Sequence, residues 1–124
     1  MDEKLKRPDL KSDKWQKQAS GLEIWDEKVG VGEAVNAGAN VKVHYTGWLT
    51  DDKATIFDSS VKRNEPIEFG LTQVIKGWQE GIPGMKPGGV RLLKIPADMA
   101  YGKRGAGRDV PPDAILVFRV ELLK

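Results

Sequence analysis

From residue 21 onward, short apolar stretches alternate with turns. Residues 22–25 (Leu-Glu-Ile-Trp) predict a first strand, and residues 29–39, with Gly30, Gly32 and Gly38, read as a connection. Over 41–48 the apolar positions recur every second residue. Val41, Val43 and Tyr45 fall on one face and Lys42, His44 and Thr46 on the other, so Tyr45 is expected to point inward. A turn at 50–53 precedes a β-like run at 55–60, and 66–69 alternates again with Ile67 and Phe69 on one side. The period then changes. Thr72 reads as an N-cap, and Val74, Ile75, Trp78 and Ile82 recur at helical spacing opposite Lys76, Gln79 and Glu80 until Gly81, Pro83 and Gly84 stop the helix. After a turn at 85–89, residues 90–95 predict a strand, 97–112 a long Gly/Pro-rich loop, and 115–123 a last strand with Leu116, Phe118, Val120 and Leu122 in step. Several strands with one short central helix make an α+β domain, whose sheet must cover the helix to bury Trp78.

Residues 1–20 are different. They are dense in Lys, Arg, Asp and Glu, with Leu5, Leu10 and Trp15 almost the only apolar side chains. They read as a mobile or loosely docked charged extension, a solubilising leader before a partner-binding arm, with Trp15 as the residue able to dock. Residues 21–124 form the domain, and 124 residues leave no room for a second catalytic one.

Composition removes most chemistry. Cysteine is absent and His44 is the only histidine, which excludes thiol nucleophiles, Cys-ligated zinc and multi-His metal sites. No cofactor and no metal are expected. Lys and Arg number 20 against 18 Asp and Glu, interspersed, so no concentrated basic patch points to nucleic acid. No apolar run approaches the ~18 residues of a membrane span, and the charged start has no apolar core of a secretory signal. A cytoplasmic monomer is the expectation.

Single residues leave alternatives open. His44 reads as a sheet-surface residue rather than a base, and Gly30-Val31-Gly32 lacks the further glycine, helix and Lys-Ser/Thr pair of a phosphate loop. Lys103, Arg104 and Arg108 read as a solvated loop before a recognition loop. Phe69, Val74, Ile75 and Phe118 would suit any α+β core. Trp78, whose N–H needs a partner when buried, suits either a core or a site. Asp58 after Phe57 is either a surface alternation or a polar contact in a pocket.

Taken together, Val43-His44-Tyr45-Thr46-Gly47, Phe57-Asp58-Ser59-Ser60, Val74-Ile75-Lys76-Gly77-Trp78, Ala100-Tyr101-Gly102 and the run from Val110-Pro111-Pro112 to Leu116-Val117-Phe118-Arg119-Val120-Glu121-Leu122-Leu123 closely resemble the FKBP-type peptidyl-prolyl isomerases, in the family order. The resemblance runs from about residue 21 to the last residue. It implies a curved antiparallel sheet, a half-barrel, wrapped around the helix at 74–81, with an apolar pocket between them. By the same resemblance, Trp78 would floor the pocket beneath a prolyl ring, flanked by Tyr45, Phe57 and Phe118. The Tyr101 hydroxyl and the Ile75 N–H would hold substrate carbonyls, and Asp58 would supply a polar edge contact with Arg63 in a position to pair with it. Ile67, Phe69 and Val74 would complete the binding surface, with Val110 on the rim.

The implied activity is cis–trans isomerisation of Xaa-Pro bonds in folding proteins, with proline-containing polypeptides as partners and macrolides of the tacrolimus/rapamycin type as ligands. A non-catalytic peptide- or macrolide-binding module on the same fold is the alternative. The chain departs from the family in a slightly longer connection between Gly47 and Phe57, and in Ala106 and Asp109 of the loop before Val110.

Overall fold

The computed structural model describes residues 3–124; residues 1 and 2 of the expected extension lie outside the described part. Seven strands and two short helices follow in order: β1 (Gln16–Lys17), β2 (Glu23–Lys28), β3 (Asn40–Leu49), β4 (Ile56–Ser59), α1 (Ser60–Arg63), β5 (Ile67–Gly70), α2 (Lys76–Gly81), β6 (Val90–Ile95) and β7 (Leu116–Leu122). All pairings are antiparallel, in the order β1-β2-β6-β7-β3-β4, with β5 also on β3. The ten-residue β3 organises this sheet. It pairs with β7 over residues 43–49, with β5 over 40–43 and with β4 over 46–48.

Alternation decides what lies between helix and sheet. Val43, Tyr45, Leu93, Ile95, Leu116, Phe118, Val120 and Leu122 are buried in one cluster with Trp78 and Ile82. Helix α2, Lys-Gly-Trp-Gln-Glu-Gly, is a poor helix by propensity and depends on that packing. Its glycines permit the approach: a Cβ on Gly77 would sit 2.5 Å from Ile95 Cδ1, and one on Gly81 2.7 Å from Leu93 Cδ2. Arg91 then ties down its C-terminal end. Nη1 donates to Gly81 O (2.8 Å) and Pro83 O (3.1 Å), while Nε donates to Asp26 Oδ1 (2.6 Å).

The structure departs from the periodicity in three places. The helix begins at Lys76, not after Thr72: residues Leu71–Gln73 form a separate 3-10 turn, Val74 is extended, and Ile75 stands at the N-cap. The run at 55–60 ends its strand at Ser59, whose hydroxyl accepts the Lys62 N–H (3.2 Å) and so opens helix α1. Thr46, assigned to the outer face, is nonetheless buried, because that face is covered as well.

The cover is the leader. Strand β1 pairs with Ile24 and Glu23 of β2, and Trp15 packs edge-on against Trp25 at 5.5 Å. Trp48 Nε1 donates to Leu5 O (3.2 Å), Lys94 Nζ to Leu10 O (3.1 Å), and Arg7 Nη1 to Leu49 O (2.8 Å). Docking thus extends well beyond Trp15. Beneath this cover lies a second apolar layer, with Trp48 and Val117 fully buried and Leu92 nearly so.

Candidate functional site

Between α2 and the sheet lies an open cavity of about 330 Å³, within the size range of small-ligand sites. Strand β3 contributes Tyr45, β5 Ile67 and β7 Phe118; Val74 and Ile75 come from the segment entering α2, Trp78 from the helix and Tyr101 from the loop after β6. Strand β4 contributes two consecutive residues, Phe57 and Asp58, where a regular strand would send them to opposite faces. A bulge is the reason. Gly47 pairs with Asp58 but Trp48 with Ile56, so Phe57 is the extra residue and turns inward beside its neighbour. Gly47 makes the room, since a Cβ there would lie 2.7 Å from Phe57 Cζ and 2.8 Å from Phe118 Cε1.

The aromatic rings form a connected box. Trp78 meets Tyr45 (5.2 Å, 76°) and Phe118 (5.2 Å, 80°) edge-on, and Phe118 meets Phe57 the same way (5.5 Å, 82°). Such contacts are favourable beyond the area they bury and hold each ring in place. Trp78 is 5% exposed, yet its indole N–H has no hydrogen-bond partner among the described residues. An unpaired buried donor costs about 1–3 kcal/mol, so the ring is held there by shape rather than by polar satisfaction.

One polar edge faces the box. The Tyr45 hydroxyl donates to Asp58 Oδ2 (2.5 Å), while Arg63 donates from Nη1 to Asp58 Oδ1 (2.5 Å) and from Nη2 to the Tyr45 oxygen (3.0 Å). Burial, and then the bond to Asp58, raise the Tyr45 pKa above its ordinary 10.0 against the opposing pull of Arg63. The hydrogen bonds to Tyr45 and then Asp58 raise that of Arg63. Burial followed by the Asp58 charge raises that of Tyr101 too, so both phenols keep their protons at neutral pH. Beneath the triad, Ser60 Oγ is fully buried. It accepts the Tyr45 N–H (2.7 Å) and meets His44 Nδ1 (2.8 Å), which gives His44 a packing partner on the side away from the cavity.

Three residues expected at the site do not line the cavity. Phe69 lies behind Trp78, 5.3 Å ring to ring. Arg63 approaches Asp58 from solvent, its side chain about half exposed. Val110 is 3% exposed within the core cluster, where its bridge to Ala106 closes the loop, and not on the rim. Gln73 lines the cavity and was not foreseen. The 3-10 turn that places it carries no periodic signal. Among the described residues no cluster of His, Cys, Asp or Glu could hold a metal ion, and no helix is long and apolar enough to cross a membrane.

Comparison with known proteins gives consistent matches. A family model described as FKBP-type peptidyl-prolyl cis-trans isomerase matches residues 32–123. An FK506-binding protein of Neisseria meningitidis serogroup B is 53% identical over 106 residues, covering 84% of this chain and 95% of the relative. FK506-binding protein 1 of Dictyostelium discoideum is 50% identical over 105 residues, covering 83% and 96%. Among solved structures, FkpA from Escherichia coli superposes with a TM-score of 0.84 at 41% identity, covering 92% of this chain and 52% of that one. AtFKBP13 does so at 0.81 and 38%, covering 89% and 97%.

Proposed function

The chain belongs to the FKBP-type peptidyl-prolyl cis–trans isomerases, and from that premise we propose how its pocket turns an Xaa-Pro bond. Rotation about a peptide bond meets a barrier of ~18–20 kcal/mol because amide resonance is lost on twisting. No bond is broken, so neither a nucleophile nor a base is required. A million-fold acceleration needs about 8 kcal/mol of preferential stabilisation of the twisted form.

Three features of the cavity supply it. The prolyl ring rests on Trp78 between Tyr45, Phe57 and Phe118, which excludes water from the amide. The planar amide is the more charge-separated state, so this apolar surrounding favours the twisted one. The Tyr101 hydroxyl, and the Ile75 N–H at the start of α2, donate to the carbonyls on either side of the turning bond and hold them apart. The Ile75 N–H has no acceptor among the described residues. Asp58 keeps Tyr45 upright and, neutralised by Arg63, presents a polar edge to the twisted amide. The observation that carries the reading is the aromatic box floored by Trp78 with that single polar edge. The relatives named FK506-binding proteins support a further proposal, that a macrolide of that type occupies the prolyl site of this chain and blocks turnover.

The test is isomerisation of a short Leu-Pro peptide, followed by NMR exchange with catalytic amounts of protein. Wild-type chain is expected to accelerate the exchange, and Phe57→Ala/Asp58→Ala to lose at least about a hundredfold of that acceleration, on the order of 2.7 kcal/mol. Absence of acceleration by folded wild type, across several residues before proline, would sink the catalytic reading and leave a binding module.

A further inference from the structure

Arg7 belongs to the leader, outside the matched span of residues 32–123, yet only 17% of its side chain is exposed. Its Nη1 donates to Leu49 O at 2.8 Å and to Asp51 O at 2.7 Å, the two carbonyls that begin the turn between β3 and β4. Two residues earlier in the leader, Leu5 O accepts Trp48 Nε1. The turn is also braced from within. Asp51 accepts the Thr55 N–H (2.9 Å) and the Thr55 hydroxyl (2.5 Å), and the Leu49 N–H donates to Thr55 O (2.8 Å). It holds Ala54 at φ 52°, a left-handed conformation that costs a non-glycine residue about 1–2 kcal/mol. A turn of that kind persists only where its surroundings fix it.

Two residues beyond Thr55 stands Phe57, the bulged residue, which has no partner of its own in the ladder to β3. Its position is set by Asp58 on one side and by the turn on the other. We propose that Arg7 is a positioning residue for the isomerase pocket: by clamping Leu49 and Asp51 it fixes the β3–β4 turn and, through it, the Phe57 wall against which the prolyl ring packs. The leader is then part of the working site. Loosening the wall weakens the grip on the ring in ground and twisted states alike, which raises KM more than it lowers kcat. This inference rests on the isomerase reading.

The experiment compares full-length wild type with Arg7→Met, Arg7→Lys and Trp15→Ala, measuring kcat and KM on the Leu-Pro peptide and the melting temperature of each. Arg7→Met keeps the apolar stem and removes both bonds; it is expected to raise KM about three- to tenfold and leave kcat within about twofold. Both bonds leave from one nitrogen, so the Arg7→Lys ammonium can replace them and should recover most of the KM. Trp15→Ala loosens the leader at its other end, on Trp25, and should lower the melting temperature without moving KM.

Wild-type KM in Arg7→Met, or an equal KM rise in Trp15→Ala, would overturn the proposal and leave Arg7 a general structural anchor. If Arg7→Met does not fold, Thr55→Val carries the same expectation from the exposed side of the turn, and an unchanged KM there overturns it equally. A wild type that fails to accelerate the peptide counts against the isomerase reading instead.

Discussion

Each face of the sheet has its own buried tryptophan, and the two are treated in opposite ways. On the outer face Trp48 is completely buried, its N–H bonded to Leu5 O, beside a buried Thr46 hydroxyl that meets Ser59 Oγ at 2.9 Å. On the helix face Trp78 is almost as buried, but its N–H has no partner among the described residues and its ring borders an open cavity. One ring is sealed and its donor answered; the other borders a gap and keeps an orphan donor. Residue type and burial alone therefore do not separate a structural tryptophan from a working one. What separates them is whether the ring is surrounded by protein on all sides and whether its polar atom is answered.

The comparison can be broken most directly by removing each ring. Trp48→Ala should destabilise by about 3–5 kcal/mol, read by chemical denaturation, while the fraction that stays folded keeps its kcat within about twofold. Trp78→Ala should do the reverse in emphasis, with turnover reduced at least about a hundredfold in protein that still folds. Wild-type turnover in folded Trp78→Ala would remove that residue from the site. A smaller effect is expected from deleting residues 1–20. Uncovering the apolar outer layer costs ~25 cal/mol per Å² exposed, which a lowered melting temperature would register. An unchanged melting temperature would mean that the outer face needs no cover.

The smallest effect concerns alkaline pH. The folded-state pKa values of Tyr45 and Tyr101 lie above the ordinary 10.0. Their contribution to stability is therefore fully present below pH 10 and is lost as pH rises through the higher folded values. The melting temperature should be level between about pH 7 and 9 and fall beyond about 10. Tyr45→Phe should cost about 1 kcal/mol at neutral pH and make that fall shallower. An undiminished fall would assign the alkaline transition to other groups.

The inner face was largely legible in the sequence and the outer face was not. Alternation from Val41 to Tyr45 and from Leu116 to Leu122 marks strands β3 and β7, and the short apolar run at 90–95 between turns marks β6; inward residues of all three meet one apolar cluster. The helix start was misplaced because Val74 and Ile75 are apolar for the cavity's sake and happen to continue the spacing of Trp78 and Ile82. The family resemblance names every cavity-lining residue but Gln73, which sits in a turn with no period; Phe57 is among those named, though the bulge that turns it into the cavity has no signal in the periodicity. Leader docking was hidden for a different reason. Its anchors are the carbonyls of Leu5, Leu10, Leu49 and Asp51, and main-chain atoms leave no trace in composition.

Strand β1 has a bearing on how these molecules behave at high concentration. An open sheet offers its outermost strand as a template on which another chain can add. Here that place is taken by only two residues, Gln16 and Lys17, paired with Ile24 and Glu23. Beyond them the margin of β2 continues as Asp26, Glu27 and Lys28. A stranger's strand would find a footing too short to register on and a fringe of charge beside it, so the same segment that covers the outer face also discourages edge-to-edge aggregation at this margin of the sheet, away from β4 and β5.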